Sequence, residues 1–277
     1  MKRFLAVSIA LIALCASAIA RDKPLATIAL LSDTHTMVST NGQDGVYEQH
    51  FERAIAQVNK ANVDFVLVAG DLSNGGKPEE LREFRKRTKE FKAPVYYVPG
   101  NHDVGHKFNS GKTNGTIAVE RVKAYERLMG SSFFAKEEHG LRIIGLNTSL
   151  LGSGFEREHE QWKFLETELA TTNGAPKVVF MHYPLFLTNA MEPGGGYWNV
   201  EPEARQRLLK LCKTGVKAVL TGHLHKPLTA DFEGILLLGT SPTSFGFPRA
   251  AHLEGWTLVT IPQNGPMTFE RKRLDEN

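Results

Sequence analysis

The chain has 277 residues, of which 42% are hydrophobic, with 33 basic and 30 acidic side chains. So even a balance offers no basic excess of the kind nucleic acid or an anionic membrane attracts, and no specific nucleic-acid partner is expected. The cysteines are Cys15 and Cys212, and Cys15 falls in a leader-like segment. The body of the chain therefore has one thiol, which excludes an internal disulfide and leaves any metal to histidine and carboxylate.

Residues 1–20 read as a secretory signal: Lys2 and Arg3 open it, Phe4 to Cys15 is almost wholly apolar, and Ala18-Ile19-Ala20 ends in small residues. The apolar run is shorter than the roughly 20 residues that span a bilayer, so cleavage after Ala20 is expected rather than anchoring. Lipidation of Cys15 is disfavoured because Leu14 stands where a small residue should precede it. The mature chain, 21–277, is expected to be exported, periplasmic or secreted, without a membrane span. Losing Lys2 and Arg3 takes its basic residues from 33 to 31, against 30 acidic.

From Leu25 the pattern alternates. Short apolar runs at Leu25 to Leu31, Phe65 to Ala69, Val95 to Val98, Leu141 to Leu146, Val178 to Met181 and Val216 to Leu220 predict strands. Between them, Tyr47 to Val58, Glu79 to Phe91, Ile117 to Met129, Glu158 to Leu169 and Glu201 to Lys213 have helical spacing. Such alternation predicts parallel strands in α/β layers. After His225 come strand candidates with only turns between them: Leu228 to Phe232, Ile235 to Leu238, Trp256 to Ile261 and Met267 to Phe269. These predict a mainly antiparallel second sheet. The expected whole is a four-layer α/β/β/α sandwich, two mixed sheets flanked by helices, in a single domain over 21–277 with no repeat or linker.

Five polar clusters stand just after apolar runs, where α/β proteins deliver side chains to a crevice beyond their strands' carboxyl ends. They are Asp33 and His35; Gly70-Asp71; Gly100-Asn101-His102-Asp103; His182; and Gly222-His223-Leu224-His225. Asp33 and His35 are two apart, as are His223 and His225, so in an extended chain each pair faces one side and can share an ion. Gly222 is expected to let backbone approach the ion closely. Singly these signals are turns and caps. Pooled carboxylate, imidazole and amide oxygen suit borderline to hard divalent cations.

These motifs, in this order, resemble the calcineurin-like metallophosphoesterases over most of the mature chain. The resemblance implies that Asp33, His35, Asp71 and His225 bind one metal and that Asp71, Asn101, His182 and His223 bind a second, with Asp71 bridging. It implies a metal-bridging hydroxide as nucleophile, His102 as general acid and phosphate contact, and Asp103 as the orienting partner of His102. Two cations about 3.5 to 4 Å apart would depress the pKa of water and screen the phosphate charge. Purple acid phosphatases, a branch of the family, carry a tyrosine shortly after the bridging aspartate. Here Asp71 is followed by Leu72-Ser73-Asn74-Gly75, which implies a colourless enzyme using two divalent ions such as manganese, iron or zinc.

Substrate groups are expected from loops near the motifs. Tyr197 and Trp198 follow a glycine run and offer aromatic faces, and Arg249 offers a guanidinium for a phosphate oxygen. The expected activity is hydrolysis of a phosphate monoester or diester, with a phosphorylated small molecule, nucleotide or phosphoprotein as substrate. A catalytically inactive metal-binding scaffold of the same fold is the alternative. It would be expected to lack ligands or the general acid, and none is missing.

Overall fold

A computed structural model describes residues 23–39, 42–107, 116–171, 174–194 and 196–274. Residues 1–20, including Cys15, lie outside this range, so the expected signal segment does too. Among the described residues no helix is long and apolar enough to cross a membrane.

The chain runs β1 (Ala26–Leu31), α1 (Val46–Ala61), β2 (Phe65–Ala69), α2 (Pro78–Arg87), β3 (Val95–Val98), α3 (Asn101–Val104), α4 (Val119–Met129), β4 (Phe134–Glu138) and β5 (Leu141–Leu146). It continues α5 (Glu156–Ala170), β6 (Lys177–Met181), α6 (Pro202–Cys212), β7 (Val216–Thr221), β8 (Leu228–Phe232), β9 (Ile235–Gly239), β10 (Gly255–Ile261) and β11 (Thr268–Arg273). Two sheets result, ordered β11-β10-β1-β2-β3 and β4-β5-β6-β7-β9-β8.

The central strands are apolar throughout because both their faces are covered. In β1, Ile28 and Leu30 enter the core between the sheets, while Ala29 and Leu31 meet the helices. In β2, Phe65, Leu67 and Ala69 point inward between the sheets, and Val66 and Val68 point outward. Helix α1 answers with Phe51, Ala54, Ile55 and Val58 on one stripe. Burying a side chain such as Phe51 contributes about 2 kcal/mol or more. The helix stops at Asn62, whose left-handed backbone (φ 53°) lets its N–H return to the Val58 carbonyl. Helices α5 and α6 cover the other sheet through Leu165, Leu169, Leu208 and Leu209. The layers are thus helix, mixed sheet, mixed sheet, helix.

The expected antiparallel second sheet of C-terminal strands does not form. Those strands divide between the two sheets instead. A tight turn at Glu233 and Gly234, both with positive φ, folds β8 onto β9. It is β9, with Ile235, Leu237 and Leu238 buried, that lies parallel to β7. Strand β8 exposes Thr229 and Asp231 and takes the edge. Likewise β10, burying Trp256, Val259 and Ile261, pairs antiparallel with β1, and charged β11 forms the edge of that sheet. Burial chooses the inner strand in each case, which turn spacing does not report. Strand β4, too polar to stand out in sequence, pairs antiparallel with β5.

Candidate metal centre

The five clusters meet above the carboxyl ends of β1, β2 and β3 in one sheet and β6 and β7 in the other. Their donor atoms form two groups that share Asp71: Asp33, His35, Asp71 and His225, and Asp71, His182 and His223. Within each group the donor atoms all lie within 4.8 Å of one another. On the first side His35 Nε2 is 3.2 Å from His225 Nε2 and 3.6 Å from Asp71 Oδ2, and Asp33 Oδ1 is 3.4 Å from His225 Nε2. On the second, His182 Nε2 is 3.3 Å from Asp71 Oδ2, 3.1 Å from His223 Nδ1 and 3.1 Å from Asn101 Oδ1. The Asn101 amide oxygen therefore joins the second group.

The paired ligands come together for a reason other than extended geometry. Strands β1 and β7 end at Leu31 and Thr221, before the ligands begin. Asp33, His35, Asp71, His223 and His225 have φ of 54°, 45°, 50°, 71° and 52°. A non-glycine residue in that left-handed region costs about 1–3 kcal/mol, so the strain is concentrated on the ligands. Backbone bonds hold it there: Asp33 N–H donates to the Gly70 carbonyl and His35 N–H to the Asp71 carbonyl, both at 3.0 Å. Gly222, expected to approach the ion, instead makes room for a neighbouring loop. A Cβ there would stand 1.6 Å from Ser32 Oγ, and one on Gly100 would stand 2.2 Å from Asp71 N.

Carbonyl acceptors behind the imidazoles orient their lone pairs inward. His182 Nδ1 lies 2.8 Å from the Ala69 carbonyl, His225 Nδ1 2.7 Å from that of Phe245, and His223 Nε2 3.3 Å from that of Tyr197. Each of these nitrogens must carry its hydrogen toward the carbonyl. In the neutral rings, Nε2 of His182, Nε2 of His225 and Nδ1 of His223 are then bare lone pairs directed at one another and at carboxylates. Asp33 Oδ1 is buried without a hydrogen-bond partner. Converging lone pairs repel unless a cation stands among them, so the donor set fits two divalent ions.

The electrostatics agree. Burial pushes His35 down to about 4, although Asp71 pulls it upward. Burial, then His182, holds His223 well below its ordinary value. For Asp71, burial acts to raise the carboxyl, but His182 and His35 outweigh it and hold it well below the carboxylate range. Burial would lower His182, but Asp71 overrides it and raises the imidazole to about 9. Without an ion, Asp71 obtains its counter-charge from a proton on His182. An ion supplies that charge in the proton's place.

His102 is half-buried, its ring edge-on to His35 with centroids 4.5 Å apart. Its backbone N–H donates to Asp71 Oδ1 at 2.9 Å, and Nδ1–H donates to the Asn74 carbonyl at 2.6 Å. Nε2 is left as the working atom. Asp103 is not the partner expected from the resemblance. Its carboxylate accepts from Leu72 N–H (3.1 Å), Ser73 N–H (2.9 Å), Ser73 Oγ (2.6 Å) and Gly100 N–H (2.8 Å). It ties the loop after β2 to the loop after β3, and the orienting role falls to a main-chain carbonyl that no side-chain pattern reveals.

The aromatic and basic candidates divide between the two sides. The Tyr197 ring lies 4.9 Å from that of His223, its hydroxyl accepts from Asn101 Nδ2 at 3.3 Å, and Trp198 lies 5.7 Å from His223. Arg249 is on the other side, 4.2 Å above the Phe245 ring, and Phe245 lies 4.1 Å from His225 and 5.3 Å from His35. Three residues at the site went unmarked in the sequence: Asn74, which acts through its carbonyl; Tyr47, which reads as the start of α1; and Glu192. The last accepts N–H groups of Leu187 and Thr188 at 2.8 Å and bonds Asn199, thereby shaping the loop that presents Tyr197 and Trp198. Lys107, just beyond His102, reaches the Asn199 carbonyl and, at 2.6 Å, Glu201.

Comparison with known proteins places this geometry. Bovine serine/threonine-protein phosphatase CPPED1 is 29% identical over 241 residues, covering 81% of this chain and 73% of its own. The human protein of that name is 26% identical over 217 residues, and the match spans 66% of its length. The 3',5'-cyclic adenosine monophosphate phosphodiesterase CpdA of Haemophilus influenzae is 23% identical over 270 residues, 92% of each chain. In fold, a dimetal phosphatase from Danio rerio superposes with a TM-score of 0.61 at 11% identity, covering 92% of this chain and 98% of that one. The calcineurin-like phosphoesterase model matches residues 26–227, a stretch that contains every ligand of the two groups, and the chain belongs to that family.

Proposed function

We propose that the protein hydrolyses phosphate esters with two bound divalent ions, manganese, iron or zinc. The observation that carries this reading is the pair of donor groups sharing the Asp71 carboxylate, with His102 beside them. Bound there, two divalent ions would supply an activated water at neutral pH and screen the phosphate's charge. The chain's own residues do the rest. Asp33, His35 and His225 on one side, and Asn101, His182 and His223 on the other, fix the geometry, and Asp71 belongs to both. His102 holds its Nδ1–H on Asn74, so the proton it can release sits on Nε2. As water adds to phosphorus and the bond to the leaving oxygen breaks, that proton passes to the departing alkoxide.

The mammalian relatives are named as protein phosphatases and the Haemophilus relative as a cyclic-nucleotide phosphodiesterase, so monoesters and diesters both belong in the test. Turnover of 4-nitrophenyl phosphate and bis(4-nitrophenyl) phosphate by metal-free protein, reloaded with manganese, iron or zinc, measures both. Metal-dependent hydrolysis of either supports the reading. No turnover with any of the metals would favour the inactive scaffold. Export rests on residues 1–20 alone, and the mass of the protein recovered after secretion tests it: a chain beginning at Arg21 is expected.

A further inference from the structure

A cavity of about 360 Å³ opens beside the Asp33 side of the centre, lined by Tyr47, His50, Arg53, Phe245, Arg249 and His252 among others. Its inner wall continues the ligand cluster. Tyr47 stacks on Phe245, with centroids 5.4 Å apart, and the His35 ring is 6.4 Å from Tyr47 and 5.3 Å from Phe245. Its outer part is basic. Arg249 lies over Phe245 and donates from Nη2 to Tyr47 Oη at 3.2 Å, which fixes the guanidinium over the ring without neutralising it. The Arg53 guanidinium has a long 3.5 Å bond to the Gln49 carbonyl. Among the described residues neither arginine is ion-paired. The carboxylate in the lining, Glu254, accepts the Gly246 N–H at 3.0 Å.

The position of His102 says which part of a substrate would lie here. A general acid must be within hydrogen-bond reach of the oxygen it protonates. His102 packs edge-on to His35, a ligand on the Asp33 side. The leaving group therefore departs on that side, toward Phe245 and Tyr47. We infer that this cavity is the leaving-group subsite and that it selects alcohols or phenols bearing a second oxyanion, held by Arg249 with Arg53 and positioned against the Tyr47–Phe245 wall. The oxyanion is a carboxylate or a phosphate. A guanidinium prefers either as a forked, charge-assisted pair. The Phe245 ring lies against both His35 and Arg249, so the second anion belongs about one ring's breadth from the scissile oxygen. The inference rests on the phosphoesterase reading and narrows its substrate class.

The test compares kcat/KM for phenyl phosphate, 3- and 4-carboxyphenyl phosphate and 1,3-phenylene bisphosphate, using the metal-loaded enzyme and its Arg249→Met and Arg249→Lys variants. Wild type should prefer at least one dianionic-leaving-group substrate over phenyl phosphate. Arg249→Met should cut that preference about tenfold, with partial recovery in Arg249→Lys and weakening at high salt. Whether the carboxylates or the bisphosphate show the effect identifies the oxyanion. A preference ratio within twofold of wild type in Arg249→Met, whatever happens to the absolute rates, overturns the inference. So does a wild type that turns over phenyl phosphate with no preference. Failure to hydrolyse any of these, together with both nitrophenyl esters, would instead defeat the phosphoesterase reading beneath it.

Discussion

Replacing Asp103 by alanine separates two roles that the same residue could serve. In the structure its fully buried carboxylate collects three backbone N–H groups and one hydroxyl from Leu72, Ser73 and Gly100. Truncation leaves those donors without an acceptor in a site closed to solvent. A buried unsatisfied donor costs about 1–3 kcal/mol, so four at the low end come to about 4 kcal/mol. Some of this is offset, because burial and then repulsion from Asp71 already push Asp103 up to about 6, and removing the charge relieves that repulsion. For a chain of this size a loss of about 3 kcal/mol lowers Tm by about 6–12 °C. The Asn74 carbonyl still holds His102, so kcat at temperatures well below Tm should fall less than about tenfold. Calorimetry and turnover of phenyl phosphate, whose poorer leaving group draws on the proton donor, under saturating metal measure both effects on one preparation. An unchanged Tm with kcat down a thousandfold would refute the reasoning, because Asp103 would then act on the proton donor and not on the loops.

Other perturbations address neighbouring parts of the site. His102→Ala should retain both metals by elemental analysis while kcat falls about 10²–10⁴-fold, and the loss should be greater for alkyl than for nitrophenyl leaving groups, which need no proton. Gly222→Ala places a Cβ 1.6 Å from Ser32 Oγ and 2.9 Å from Asp33 Oδ2; a destabilisation of about 3 kcal/mol or more and weakened metal retention should follow, read by melting and by elemental analysis. Burial acts to raise Glu192, but N–H groups of Thr188 and Leu187 outweigh it and bring the carboxyl down to about 2. The stability Glu192 contributes is therefore present above its unfolded value of about 4.3 and is lost as pH falls through about 2. The Tm difference between wild type and Glu192→Gln should be largest near pH 7 and shrink toward pH 2; a difference independent of pH would refute that origin.

The metal side chains were legible in the sequence because their chemistry and their place in the chain coincide. Asp33, Asp71, Asn101, His182 and His223 each follow a short apolar run that reads as a strand, and in an α/β fold the ends of such strands face one crevice. The residues that orient them and His102 were not legible. Ala69, Asn74, Tyr197 and Phe245 contribute carbonyl oxygens, which every residue has. Asp103 shows the converse: an acidic side chain beside a histidine in sequence turns away from its ring to bind the backbone of two loops. The partners that decide its role lie at Leu72 and Ser73, about thirty residues away.

By itself the sequence determined that apolar strands alternate with helices in α/β layers, that the polar clusters stand at the ends of those strands, and that carboxylate, imidazole and amide oxygen are pooled for divalent ions. These follow from local period and residue chemistry. Only the tertiary structure decided that β8 and β9 join one sheet while β10 and β11 join the other, since that choice depends on which strand hides more apolar surface against a distant neighbour. It also decided that five ligands adopt left-handed backbone, a strain that bonds between the loops after β1 and β2 sustain at Asp33, His35 and Asp71. And it brought Arg249, 202 residues from Tyr47, over the ring that also lies against His35. Contacts across such distances in the chain exist only once the layers have packed.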